Sequence, residues 1–410
     1  MKTMRFLFLT QYYPPEPGAA SLRLQAMAQQ LMRHGHRVEV VTAFPHHLGT
    51  KRETAHKGRF LFTETVNGVP VTRTWIWPVP PGRFWLRLIN YFSFVVTSFW
   101  GLLRSKRPDF VIVESPPLFL GITAYIYGLV RQVPYILSVS DLWPESAVAL
   151  GLVKNRQVIK WSERLEYFLY RHAAYVSGVT EGICRTVRET KTIASDRVLF
   201  FPNGVDTELF RPVPPSAELA DRLGVRGKHV FLYPGTIGYA QGLEVVLGAA
   251  ELLRDRSDIV FLLVGEGPVK ASLMKQVEQK NLTNVKFEAL QPVERMSLYF
   301  ALARAVVVPL RKHKLFAGAR PSKVFPAWAA GVPVIFVGEG EMAELIEVAG
   351  GGMVTPPEDD FGLSMAVDFL SRITDHEWRV MAVAGRDYVL EHYTWQGIAD
   401  RWIKGVKRRV

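Results

Sequence analysis

The sequence predicts an α/β protein made of two doubly wound, Rossmann-like domains facing each other across a cleft. Three observations lead there: a length of 410 residues, strand-like apolar runs alternating with amphipathic helical stretches, and a Pro- and Gly-rich break near the middle. Such a length exceeds that of an ordinary compact domain, and a hydrophobic share of 48% supplies two cores.

In the first half, 5–10 reads as a buried strand, 20–34 as an amphipathic helix stopped at Gly35, and 37–42 as a second strand. Strand, helix and strand in that order form a parallel unit with a right-handed crossover. The rhythm resumes with strands at 110–114, 135–139, 175–179 and 198–201. In the second half strands are expected at 230–233, 259–264, 285–287, 305–309 and 332–336, with helices near 242–254, 269–280, 294–301 and 322–330. The run 203–215 holds Gly204, Pro212, Pro214 and Pro215 and reads as a linker between domains 1–202 and 216–392.

Composition narrows the function. The single cysteine, Cys184, excludes an intramolecular disulfide and a Cys-rich metal site and fits a reducing, cytoplasmic compartment. Its helical surroundings suit core filling better than nucleophilic chemistry. A net charge of +12 asks for anionic partners, and with no nucleic-acid-binding module in view these are phosphorylated ligands or an anionic membrane surface. The basic tail of Lys404, Lys407, Arg408 and Arg409 is either a solvated helix end or a phospholipid contact. Residues 6–10 are too short for a secretory signal, and the longest uncharged apolar window, 88–103, is about 16 residues against the ~20 that span a bilayer. Around it Trp75, Trp77, Trp85 and Trp100 alternate with Arg83 and Arg87, a mixture suited to a membrane interface or to a buried helix with an aromatic approach loop.

Ligands of doubly wound sheets bind at the carboxyl ends of the strands. Gly18 follows the first strand and allows close backbone approach to a phosphate or sugar. Gly235, Thr236, Gln241 and Gly242 form the corresponding loop of the second domain, while Gly265, Glu266 and Leu290 end the next two strands. The strongest local signal is 316–323: Ser322 is placed to cap a helix, Arg320 and Lys323 bring two positive charges to its start, and the amides of 323–325, including Val324, would face a diphosphate. Asp141 and Glu145 stand at a strand end of the first domain, suited to orienting an acceptor hydroxyl or taking its proton, or to capping the helix that follows. His46 and His47 can touch an acceptor but lack a third ligand for a metal. No Asp-x-Asp occurs, and Glu339 and Glu341 read as loop polarity, so neither a metal nor a cofactor is expected.

The stretch 203–212, the glycine loop 235–242, Gly265-Glu-Gly-Pro268, and Pro321-Ser322-Lys323 through Gly331-Val-Pro-Val334 resemble family four of the retaining glycosyltransferases, which have the GT-B fold. Residues 141–152 are similar to the subgroup that builds O-antigen and capsule polysaccharides, including N-acetylfucosamine transferases. The resemblance implies a nucleotide-diphosphate sugar donor, often UDP-linked and bound without metal by the second domain. It implies a lipid-linked saccharide acceptor on the first domain, peripheral contact with the inner face of the cell membrane, and a last helix around 393–410 that crosses back to the first domain. Lys323 and Arg320 would then stabilise the departing diphosphate. Two places depart from the family pattern: Gly318 and Pro326 stand where paired glutamates are usual, and Thr236 and Gln241 where Arg and Lys are. Two other readings stay open, a nucleotide-sugar 2-epimerase and a non-catalytic membrane-bound partner protein.

Overall fold

The structure is a computed structural model that describes residues 3–16, 18–45, 58–78, 84–149, 153–313 and 316–407. The chain divides into two compact units, Met1–Asn203 with Trp395–Val410, and Gly204–Thr394.

The first unit runs β1 (Arg5–Leu9), α1 (Ala19–Arg33), β2 (Arg37–Ala43), β3 (Leu61–Val66), β4 (Val69–Thr74), α2 (Phe84–Arg104), β5 (Phe110–Ser115), α3 (Leu120–Arg131), β6 (Tyr135–Val139), α4 (Glu145–Ala149), α5 (Arg156–His172), β7 (Tyr175–Gly178), α6 (Glu181–Glu189) and β8 (Val198–Phe200). Its sheet has the order β3-β4-β2-β1-β5-β6-β7-β8, with the β3–β4 pair antiparallel and the other neighbours parallel. Every residue of β5 and β6 is buried, as in parallel strands covered on both faces. The strand order reverses direction at β1, which lies between β2 and β5, and a crevice opens at such a switch point. The β3–β4 hairpin was not among the expected strands. Asn67 and Gly68 at its turn take φ of 50° and 83°, the left-handed pair that a two-residue hairpin demands.

The second unit runs α7 (Ala217–Leu223), β9 (His229–Pro234), α8 (Glu244–Leu252), β10 (Ile259–Val264), α9 (Lys270–Gln279), β11 (Val285–Glu288), α10 (Met296–Phe300), β12 (Ala303–Pro309), α11 (Val324–Ala329), β13 (Val334–Val337), α12 (Glu341–Ala349), β14 (Gly352–Thr355), α13 (Asp360–Arg372) and α14 (Asp375–His392). Its parallel sheet is ordered β11-β10-β9-β12-β13-β14. The period of two shows in β9: Val230 and Leu232 face a core with Trp328, whereas Phe231 and Tyr233 face the opposite core beneath α8 and α13. Part of the run read as a linker belongs to this unit's interior. Val205 is buried and bridges to Thr394, and Phe210 packs edge-on against Phe300 at 6.0 Å.

Helix α15 (Trp395–Lys407) packs with the first unit. Trp402 is 2% exposed, lies 5.9 Å from the Phe6 ring, and donates its indole N–H to Ser177 Oγ at 3.1 Å. Removing that indole opens a cavity and strands the Ser177 hydroxyl. Trp402→Ala is therefore expected to destabilise the first unit by about 3–5 kcal/mol, read as a lowered urea midpoint.

Candidate functional site at the strand ends of the second unit

Three chain segments meet at the carboxyl ends of β9, β10 and β12. After β9 the backbone turns through Gly235 at φ +115°, and its N–H donates to the Val264 carbonyl at 2.8 Å. A Cβ on Gly265 would lie 1.8 Å from the Gly235 carbonyl oxygen, and one on Gly267 would lie 2.2 Å from that of Ile237. The two loops can touch only because these positions carry no side chain. Ile237 N–H donates to the Glu266 carbonyl at 2.9 Å, so the two loops are joined backbone to backbone.

Lys323 rises against this platform from the start of α11. Its Nζ donates to Tyr233 Oη at 3.0 Å and lies 4.6 Å from the centre of the Tyr233 ring, while its Cε lies 3.4 Å from where a Gly235 Cβ would be. Tyr233 Oη donates its own proton to the Thr236 carbonyl, which turns a lone pair toward the ammonium. Among the described residues no carboxylate pairs with Lys323. Burial pushes its pKa down to about 8, with no opposing ion pair to hold it up. Burial also raises the pKa of the Tyr233 hydroxyl well above the ordinary tyrosine range and keeps it protonated.

Arg320 has a different role from the one its sequence position suggested. Its guanidinium pairs with Glu341 at 2.5 Å and donates to Tyr393 Oη at 2.7 Å, with both ion-pair side chains largely buried. Glu341 N–H also donates to the Ala317 carbonyl at 2.8 Å. Arg320 therefore fastens the 316–323 loop to the start of α12. Glu341, read from sequence as loop polarity, is the partner in that fastening.

The helix start also differs from the expectation. The N-cap of α11 is Lys323, not Ser322, and the exposed Ser322 makes no capping bond. Val324 is fully buried, and its N–H reaches back to the Pro321 carbonyl at 3.4 Å, so it has little to offer a ligand. Pro326 is the third residue of α11, within the first turn where amides lack intrahelical acceptors, so its missing N–H costs no helical bond. A Cβ on Gly318 would meet nothing within 4 Å.

Gln241 and Gly242 close the β9 loop, Gly242 at φ +56°. A Cβ there would press on Arg311 Cγ at 2.8 Å; the Arg311 guanidinium donates to the Tyr239 carbonyl at 2.7 Å and to Glu244 at 2.9 Å. Arg311 brings a cation over the loop where Gln241 stands, and sequence reading passed over it because it lies 70 positions from Gln241. Tyr239, 69% exposed, was also missed; with the exposed Leu290 it offers apolar surface at the strand ends. Glu266 is held by Lys270 at 2.7 Å.

Gly18, Asp141 and Glu145 lie in the first unit. Gly18 precedes α1 at φ +140°, without a side-chain cap. Desolvation raises the Asp141 pKa against hydrogen bonds from Ser146 and the Leu142 amide. Glu145 is bound to Lys191, which also holds the buried Glu166 at 2.6 Å; burial raises the Glu166 pKa to about 7. Asp141, unlike Glu145, is held by hydrogen bonds and not by an ion pair among the described residues. Arg23 and Glu114 form a buried ion pair at 2.5 Å, and Arg23 also donates to the half-buried Ser140 hydroxyl at 2.6 Å. His46 and His47 lie outside the described residues, and among those described no three His, Cys, Asp or Glu side chains gather as a metal set.

Family models match both units: a "Glycosyl transferase 4-like domain" over residues 18–204 and "Glycosyl transferases group 1" over 228–372. The chain carries both domains of a GT-B glycosyltransferase. It is 28% identical over 358 residues to the putative colanic acid biosynthesis glycosyl transferase WcaI of Escherichia coli K12, covering 84% of this chain and 86% of the relative. It is 25% identical to the probable glycosyltransferase WbjE of Pseudomonas aeruginosa, covering 68% of each. The fold is similar to sucrose-phosphate synthase from Thermosynechococcus elongatus, with a TM-score of 0.76 at 18% identity over 99% of this chain and 98% of that one. It is similar also to Anabaena HepE in complex with UDP, at 0.71 and 17% over 99% and 100%.

A half-buried lysine whose ammonium is desolvated without a counter-ion weakens the glycosyltransferase that contains it. In the native state Lys323 loses its proton near pH 8 and in the unfolded chain near the ordinary lysine value of about 10.5. The unfolded chain binds more protons between those values, so the penalty is whole below pH 8 and fades as pH rises toward 10.5. Lys323→Met is expected to raise stability at pH 7 by on the order of 1–2 kcal/mol, and the gain over wild type should shrink across that window, as thermal melts at several pH values would show.

Proposed function

We propose that the enzyme transfers a sugar from a nucleoside-diphosphate donor to a lipid-linked saccharide, with retention at the anomeric carbon, in cell-surface polysaccharide synthesis. The observation that carries this reading is Lys323: a cation largely out of water, unpaired among the described residues, beside the glycine-lined loops at the carboxyl ends of β9 and β10. As the bond from the anomeric carbon to the diphosphate oxygen breaks, negative charge collects on that oxygen. A preorganised cation in a low-dielectric site stabilises it more than a solvated one would. Lys323 then takes the counter-charge role that a metal fills elsewhere, and no cofactor is assigned.

In this reading the Gly235, Thr236, Gly242 and Gly265 backbone approaches the diphosphate, and Tyr239 and Leu290 border the nucleoside. Arg320 positions the Lys323 loop through Glu341. The acceptor oxygen attacks the face the diphosphate leaves, and its proton passes to the departing diphosphate oxygen. We assign UDP as the nucleotide, which the fold's similarity to UDP-bound HepE supports. An N-acetylamino sugar is supported by the resemblance of residues 141–152. Polysaccharide synthesis is supported by relatives named for colanic acid and, at 26% identity over 227 residues, by the O-antigen chain mannosyltransferase C of Escherichia coli. A lipid-linked acceptor places the enzyme as a peripheral protein at the inner face of the cell membrane.

Calorimetric titration with UDP, GDP and their sugar conjugates, without divalent metal, is expected to select a uridine ligand. Lys323→Ala is expected to lower transfer by roughly 10²–10³. Near-wild-type turnover by that variant would remove Lys323 from the mechanism, and no nucleotide binding at all would favour a non-catalytic partner protein.

A further inference from the structure

Three neighbouring helices of the first unit turn large apolar side chains outward. On α2, Ile89, Phe92, Val96 and Trp100 follow one another at helical spacing and are all about half exposed, Val96 at 63%. The opposite side of the same helix is occupied: Asn90, Phe94, Thr97 and Leu102 are buried in the unit's interior. On α3, Ile126, Leu129 and Val130 face out, Leu129 at 64%. On α5, Trp161 is 69% exposed, with Tyr167 and Phe168 beyond it on the same helix. The three surfaces are joined by aromatic contacts. Phe92 lies 4.8 Å from the ring of Phe119, just before α3, and Tyr125 of α3 lies 4.9 Å from Phe168 of α5.

The charge on this face is one-sided. Neither α2 nor α3 contains an Asp or Glu. Arg104 ends α2 and Lys106 and Arg107 follow it, and Lys154, Arg156, Lys160 and Arg164 run along the start and outer side of α5, where Glu163 is the exposed acid among them. Arg164 lies over the Trp161 ring at 5.5 Å and Arg171 over Tyr167 at 5.4 Å. Among the described residues Arg104, Lys106, Lys160 and Arg164 form no ion pair. Apolar side chains fringed by unpaired cations and aromatic rings match the acyl-to-headgroup boundary of an anionic bilayer.

We propose that the outward face of α2, α3 and α5 is the surface by which the enzyme docks on an anionic lipid bilayer, lying on it rather than crossing it. One side of α2 is committed to the protein core, and among the described residues no helix is long and apolar enough to cross a membrane. This assignment rests on the lipid-linked-acceptor reading for its purpose and adds the site of contact.

The test is flotation of the full chain with vesicles of phosphatidylcholine alone or mixed equally with phosphatidylglycerol. The wild type is expected to float with the mixed vesicles, less so at high salt. The triple variant Val96→Asp, Leu129→Asp, Trp161→Asp should bind them roughly tenfold or more weakly at unchanged UDP affinity. Should the triple variant fail to fold, Lys160→Glu with Arg164→Glu is expected to cut binding to the mixed vesicles alone. Variants that bind like wild type overturn the proposal. So does a wild type that ignores vesicles and instead self-associates through this face. Loss of UDP binding with vesicle binding intact would sink the donor assignment and leave this one standing.

Discussion

An ammonium group that has left bulk water without meeting a carboxylate is an expensive thing for a fold to hold, and much of the second unit is arranged around one. Lys323 keeps its charge against burial with the help of the Tyr233 hydroxyl and ring. Tyr233 can serve because its proton is committed to the Thr236 carbonyl. That carbonyl is in position because Gly235 and Gly265 let two loops press together. The Arg320–Glu341 pair fixes the loop that delivers Lys323, and in doing so neutralises the other cation of the segment. The site thus concentrates on one residue the charge that the sequence seemed to divide between two.

The sheet was legible because its signals are local. Parallel strands covered on both faces are continuous apolar runs, and β5, β6, β10 and β12 stand out at once. The β3–β4 hairpin places β3 at the sheet edge with no residue fully buried, so its apolar signal is broken, and only Asn67-Gly68 marks the turn. The connector 203–215 was misjudged in part because Pro and Gly suggest solvent, whereas Val205 and Phe210 find their partners nearly 200 and 90 positions away, in Thr394 and Phe300.

Within the site, Lys323 was legible and its environment was not. Sequence places Lys323 at the start of a helix, but the phenol to which it donates, Tyr233, lies 90 residues earlier. Arg320 and Glu341 lie 21 positions apart, with α11 and β13 between them. Ser322 has the right chemistry for a cap, and the chain simply starts its helix one residue later. Glu145 was a reasonable acid or base until Lys191 closed on it. In each case residue type announced a capacity, and a distant neighbour decided its use.

The account turns on Lys323 being a perturbed lysine whose charge meets the diphosphate. The most direct measurement is an NMR titration of the Lys323 side chain, assigned by comparison with Lys323→Met, with and without UDP. A pKa near 8 in the free enzyme that rises by about one unit or more on UDP binding is the expected result. An ordinary lysine value, or one indifferent to saturating UDP, would contradict it.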